Sequence, residues 1–259
     1  KGKNYLNPKI ELLVDEAIDL ESKEKLKTNL EKKLYDLIFS ELSDLVNLSK
    51  SKFNNNYVRA LCFQLFESNG VMKRDVVHEM IKNISKEDRL KLRKTGVKIG
   101  RYHIFLPKML KPSAVNLRVK LWKLFFPEDK KFIIPKSGLN FLKSESHANN
   151  KFLLICGFEN FGKFYVRVDI LERLFLLIIE NTNDNVFKIT SDMINLIGCN
   201  KENFYILLKL MQYKLKKVDD NKEEFFTYKP TFIRSKIEKE NKKISKNNPF
   251  GKLSELRFR

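Results

Sequence analysis

Eleven basic side chains lie between Arg89 and Pro127 with no Asp or Glu among them: Arg89, Lys91, Arg93, Lys94, Lys98, Arg101, Lys108, Lys111, Arg118, Lys120 and Lys123. Tyr102, His103, Phe105 and the only tryptophan, Trp122, are interleaved with them. Cations without counter-charge attract a polyanion and displace its condensed counterions, and flat rings give unstacked bases a surface. The pattern makes Lys98, Arg101, Tyr102, His103, Lys108, Lys111 and Arg118 candidate nucleic-acid contacts, with the cations on phosphates and Tyr102 or His103 against a base. A solvated basic face over an ordinary core is the plainer reading of the same run, and a structural histidine is the plainer reading of His103.

Other chemistry is sparse. The run from Gly157 through Gly162 to Lys163 has the spacing of a phosphate-binding loop. Phe164 stands where Ser or Thr would hold magnesium, and a strand-like KFYVRV follows where a helix N-terminus would face the phosphate. The run reads as a hairpin turn. No nucleophile elbow, no HExxH pattern and no convincing carboxylate pair is present. Cys62, Cys156 and Cys199 are odd in number and lie in apolar surroundings, as reduced core thiols of a cytoplasmic protein would. Neither they nor His78, His103 and His147 cluster as zinc ligands do, so no metal is expected. No residue of this chain is expected to be catalytic.

The elements that would carry the basic stretch follow from periodicity. The chain has 259 residues, 42% of them hydrophobic, which suits two modest domains with real cores. Its formal net charge of +19 implies self-repulsion and an acidic partner. A membrane is the weaker candidate. No apolar run reaches the roughly 20 residues of a spanning helix, Glu172 and Arg173 interrupt the greasiest segment, and no signal peptide is visible. A start at Lys1 rather than Met reads as a fragment or a trimmed chain.

A mainly α fold is expected: a helical N-terminal body, then a winged-helix-like α+β domain, then a basic tail. The helical accessory domain occupies residues 1–128. Leu26, Leu30, Leu34, Leu37, Ile38, Leu42, Leu45 and Val46 fall on one face of its longest helix, capped by Asp19 or Ser22. Further helices follow near Tyr57–Asn69, Arg74–Asn83 and from Ser85 to Thr95, where Ser85 and Asp88 resemble a capping pair. Arg101–Leu106 reads as a short strand or an extended turn, stopped by Pro107. Pro112 opens a fifth helix to Phe126, with Val115, Leu117, Leu121, Trp122 and Phe125 inward and Lys111, Arg118 and Lys120 outward.

Residues 129–150, with Gly138 and the polar SESHANN, read as a linker. Residues 151–230 give the winged-helix-like order. A helix to Glu180 is followed by a strand at Phe187–Ile189, then a helix capped by Thr190. Gly198 turns the chain, a helix capped by Asn200 follows, and a hairpin spans Asp220 and Asn221. Residues 231–259 form a basic tail with an apolar end, NPFGKLSELRFR, suited to a sequence-blind phosphate grip.

Four blocks together, YVRALCFQLFESNGVMKRD, LRKTGVKIGRYHIFLPKMLKPSAVNLRVKLW, VRVDILERL and NPFGKLSELRF, resemble the C-terminal portion of bacterial superfamily 2, DExH-type ATP-dependent RNA helicases. These are related to the helicase of the mitochondrial RNA degradosome. The GVKIGRYHIFLPKMLKP block is the most specific. The resemblance implies RecA-like motor domains upstream, with ATP and magnesium bound there and not in this chain. It also implies an accessory region that helps clamp single-stranded RNA or DNA. No P-loop, DExH box or arginine finger has a match here, so no catalytic residue is carried over. The rival expectation is a protein-interaction scaffold that docks on a partner through the winged helix and the leading helix. A winged-helix transcription factor is less favoured, because the outer face of the third helix (Glu202, Tyr205, Lys209, Gln212) is weakly charged.

Overall fold

In a computed structural model, residues 5–13, 19–126, 132–143, 149–218 and 224–228 are described. The basic tail, the tip of the last hairpin and most of SESHANN lie outside the described residues. The chain is a mixed α+β protein with substantial helix, divided into two units, Lys1–Phe175 and Leu176–Arg259.

The first unit opens with helix α1 (Leu20–Glu41), whose N-cap Asp19 accepts a hydrogen bond from the Ser22 N–H. Leu42 breaks the expected single helix, and α2 (Ser43–Lys50) follows. The break marks a change of environment. Leu26, Leu30 and Leu37 before it are 43–48% exposed, whereas Ile38, Leu42 and Leu45 are 0–4% exposed. The stripe is therefore core from Ile38 to Val46, with Leu34 packed against it. Helix α3 (Asn56–Glu67) leads to strand β1 (Val71–Lys73), a 3-10 turn at Arg74–Val77 and a short α4 (His78–Lys82), where sequence periodicity suggests one helix. Helix α5 (Lys86–Lys94) is capped by Ser85, which accepts from the Asp88 N–H. Strands β2 (Lys98–Ile99) and β3 (His103–Phe105) complete an antiparallel sheet of order β1-β3-β2. A second 3-10 turn at Pro107–Leu110 then delivers the chain to α6 (Pro112–Phe125), with Pro112 at its first residue.

Helix α6 is covered on two sides. Ala114 and Leu121 join a core built from α2, α3, α5 and β3, including Leu45, Leu61, Leu92 and Ile104. Val115 and Val119 join a second cluster with Phe152, Cys156, Phe158 and Tyr165. The segment expected as a linker contributes strand β4 (Phe141–Lys143) to a sheet of order β4-β6-β5. Its other members are β5 (Phe158–Asn160) and β6 (Phe164–Arg167), preceded by α7 (Asn150–Ile155), and α8 runs from Val168 to Glu180. The division between units falls in α8 rather than at 129–150.

In the second unit a short hairpin, β7 (Thr182–Asn183) and β8 (Val186–Lys188), precedes α9 (Ser191–Ile197) and α10 (Lys201–Leu210). Thr190 and Asn200 cap the two helices by accepting from Met193 N–H and Asn203 N–H, and Gly198 between them takes φ +75°. That left-handed conformation suits glycine. Strands β9 (Leu215–Val218) and β10 (Glu224–Thr227) close a four-stranded sheet of order β7-β8-β10-β9. Phe187, Phe204, Leu207 and Phe226 fill its core.

Candidate nucleic-acid interface

Arg74 from the 3-10 turn, Arg89 and Arg93 one turn apart on α5, and Lys98 on β2 line an open groove of about 600 Å³. Among the described residues Gly96, Val97, Ile99 and Pro107 make up the rest of its wall, and none of these is a carboxylate. Two of the guanidinium groups are held by backbone carbonyls. Arg74 Nη1 donates to Gly100 O at 2.7 Å. Arg89 donates from Nη2 to Ile81 O at 2.9 Å and from Nε to Ile84 O at 3.3 Å. The pKa of Arg74 is lowered, first by burial and then by the neighbouring charges of Arg101 and Arg89, while Glu172 and Asp75 partly offset them. Lys98 lies with its ammonium 5.6 Å from the Phe105 ring centroid. Such a contact leaves the charge facing water.

Behind the groove is a buried ionic web. The Glu172 carboxylate accepts from three successive backbone N–H groups: Arg101 at 2.6 Å, Tyr102 at 2.8 Å and His103 at 2.9 Å. Burial would raise its pKa, but the contact with His103 and these N–H groups outweigh burial and hold it below the usual carboxylate value. His103 Nε2 lies 2.9 Å from Glu159 Oε2, and Nδ1 lies 3.8 Å from Glu172. Burial alone would lower the His103 pKa, but the two carboxylates reverse the sign and raise it. Lys73 reaches the same Glu159 at 2.5 Å, and Glu159 is likewise held low by His103 and Lys73 against burial. On the other side of the stretch, Lys108 pairs with Asp44 at 2.8 Å.

Both glycines of GVKIG make room for these acids. A Cβ on Gly100 would stand 2.3 Å from the Glu172 carboxyl carbon, and one on Gly96 would stand 2.7 Å from Asp44 Oδ2. Gly96 also has φ +88°.

The candidate residues therefore part company. Lys98 is exposed in the groove, and Arg101 and Tyr102 are half-buried beside it, Tyr102 edge-to-face on Phe175. Lys108 is exposed but ion-paired. Lys111 lies in a separate hollow of about 260 Å³ with Arg167 and Asp169, and Pro107 belongs to the walls of both hollows. His103 is 2% exposed and Arg118 is 0% exposed, so neither offers a side chain to a strand. The sequence pattern points Arg118 outward. Because α6 is covered on two faces, it instead donates to the carbonyls of Asn69 and Met109 inside the protein. Burial brings its pKa down to about 10.

Sequence reasoning missed Arg74, which lies outside the acid-free stretch, and the acids Asp44, Glu159 and Glu172 that fold onto it. Gly96 and Gly100 were the available signal. Glu159 lies within the loop with P-loop spacing, which forms the β5–β6 hairpin, Glu159 pairing with Val166. Among the described residues no group of three or more His, Cys, Asp or Glu is arranged to hold a metal ion, and no helix is long and apolar enough to cross a membrane. Cys62, Cys156 and Cys199 are free thiols.

No protein-family model matches the chain, and neither a curated protein nor a solved structure matches it.

Proposed function

We propose that this chain is a nucleic-acid-binding accessory region of an ATP-dependent RNA or DNA helicase whose motor lies outside the sequence. The observation that carries the binding part is the groove whose charged lining, among the described residues, is Arg74, Arg89, Arg93 and Lys98. The helicase part rests on the resemblance of the GVKIGRYHIFLPKMLKP block. In this reading the second unit is a winged helix, supported by its helix–helix–hairpin order and by the pairing of β8 with β10. ATP and magnesium belong to the motor. The test is anisotropy of a labelled single-stranded oligonucleotide across a potassium chloride series. Replacing Lys98, Arg101 and Lys111 by Ala should weaken binding and flatten the salt dependence, by about 0.7 in the log–log slope for each phosphate that is no longer neutralised. An unchanged slope removes these residues from the interface, and no binding at any salt removes the function.

One observation favours a second reading, a scaffold that docks on protein. Leu26, Leu30 and Leu37 leave an apolar stripe uncovered on α1. In that case the positive charge serves solubility, and the oligonucleotide does not bind.

A further inference from the structure

We infer that the groove of Arg74, Arg89, Arg93 and Lys98 is a phosphate station that grips the nucleic-acid backbone without regard to base. The inference rests on the nucleic-acid reading and narrows it to one place and one mode. The walls between the four cations are Gly96, Val97, Ile99 and Pro107. None is aromatic and none carries an amide or hydroxyl side chain, so among the described residues the groove has no aromatic platform for stacking, and its only forked donors are guanidinium groups, two of them already held by backbone carbonyls. Charge is what it offers. Arg74 and Arg89 are fixed by the carbonyls of Gly100, Ile81 and Ile84, so their unused N–H groups are oriented before a ligand arrives. Arg93 is exposed on α5 one turn beyond Arg89, and Lys98 is exposed on β2. Two held guanidinium groups beside two further cations offer forked and point-charge donors to phosphate oxygens.

The Arg74 guanidinium carries a cost in the free protein, since it lies partly buried near Arg89 and Arg101. A phosphate in the groove relieves that repulsion. Binding of inorganic tripolyphosphate alone should therefore stabilise the protein.

The experiment uses the full chain and three labelled single strands of equal length: oligothymidylate, oligoadenylate and mixed sequence. Arg93→Ala with Lys98→Ala is the main variant, because neither side chain holds the backbone, and Arg74→Ala with Arg89→Ala is the second. The main variant should lower affinity about tenfold for all three strands alike and reduce the salt slope by about 1.4, two phosphates at about 0.7 each. Tripolyphosphate should compete with every strand on the wild type and less well on the variant. A weakening confined to one base composition overturns the base-blind mode. Wild-type affinity in the folded variant, with the native chain binding normally, places the station elsewhere and leaves the broader function standing. A native chain that binds no strand overturns both.

Discussion

Glu172 shows how a single carboxylate can organise a basic segment without neutralising its exposed cations. It takes the N–H groups of Arg101, Tyr102 and His103 in succession. The proton balance of this web has a definite sign. Glu159 and Glu172 have folded pKa values below their ordinary 4.5, so the stability they contribute is present above that pH and is lost as pH falls through the depressed values. His103 has a folded pKa above its ordinary 6.5, so its contribution is complete below 6.5 and is lost as pH rises through the raised value. His103→Gln should therefore remove the alkaline loss and also weaken the acid limb, because His103 is one of the groups that hold both carboxylates low. Urea unfolding midpoints of the native and variant proteins across the neutral and alkaline range decide this. A native protein whose stability does not change there contradicts the sign given to His103.

Helix α6 makes the same point at the level of an element. An amphipathic reading gives it one inward face; Leu121 and Val115 are both buried, but Leu121 lies in the first cluster and Val115 in the second. The reading fails at Arg118, because a second cluster built from residues 132–165 covers the other side. Local periodicity reports how many apolar positions a helix has, not how many neighbours it meets. The caps were legible for the opposite reason. Asp19, Ser85, Thr190 and Asn200 act on N–H groups three residues away, so the sequence contains both partners. The cationic groove was half legible: Arg89, Arg93 and Lys98 stand in the run, but Arg74 and the three acids arrive from other elements. Arg118→Ala should destabilise the first unit by about 3 kcal/mol or more, since it empties a core position and strands the Asn69 and Met109 carbonyls. Arg118→Lys should recover only part of this, because one ammonium cannot fork to both. Chemical denaturation of the two variants is the measurement, and a full recovery by Lys contradicts the forked role.

For the whole molecule the governing quantity is the imbalance of 51 Lys and Arg against 32 Asp and Glu. Ion pairs such as Lys108–Asp44 draw on the scarce acids, and most Lys and Arg among the described residues are exposed. Self-repulsion at this scale is screened over about 10 Å at 0.1 M salt. Raising potassium chloride from low to moderate concentration should therefore raise the thermal midpoint of the ligand-free protein, by about 2–4 °C for each kcal/mol of repulsion removed. A midpoint that falls with salt means that the attractive pairs outweigh the excess charge. The excess was plain from composition, whereas its division between paired and open cations was not, since that depends on contacts as distant as Gly100 with Glu172.

That separation also sets an order of events during synthesis. The N–H groups of residues 101–103 precede Glu172 by 69–71 positions. At about 5–20 residues per second, the loop waits roughly 4–14 s for its clasp to be translated. For that interval the nascent chain trails an unfastened polycation beside ribosomal RNA, and the late arrival of α8 fastens a loop whose flanking strands, β2 and β3, are already translated.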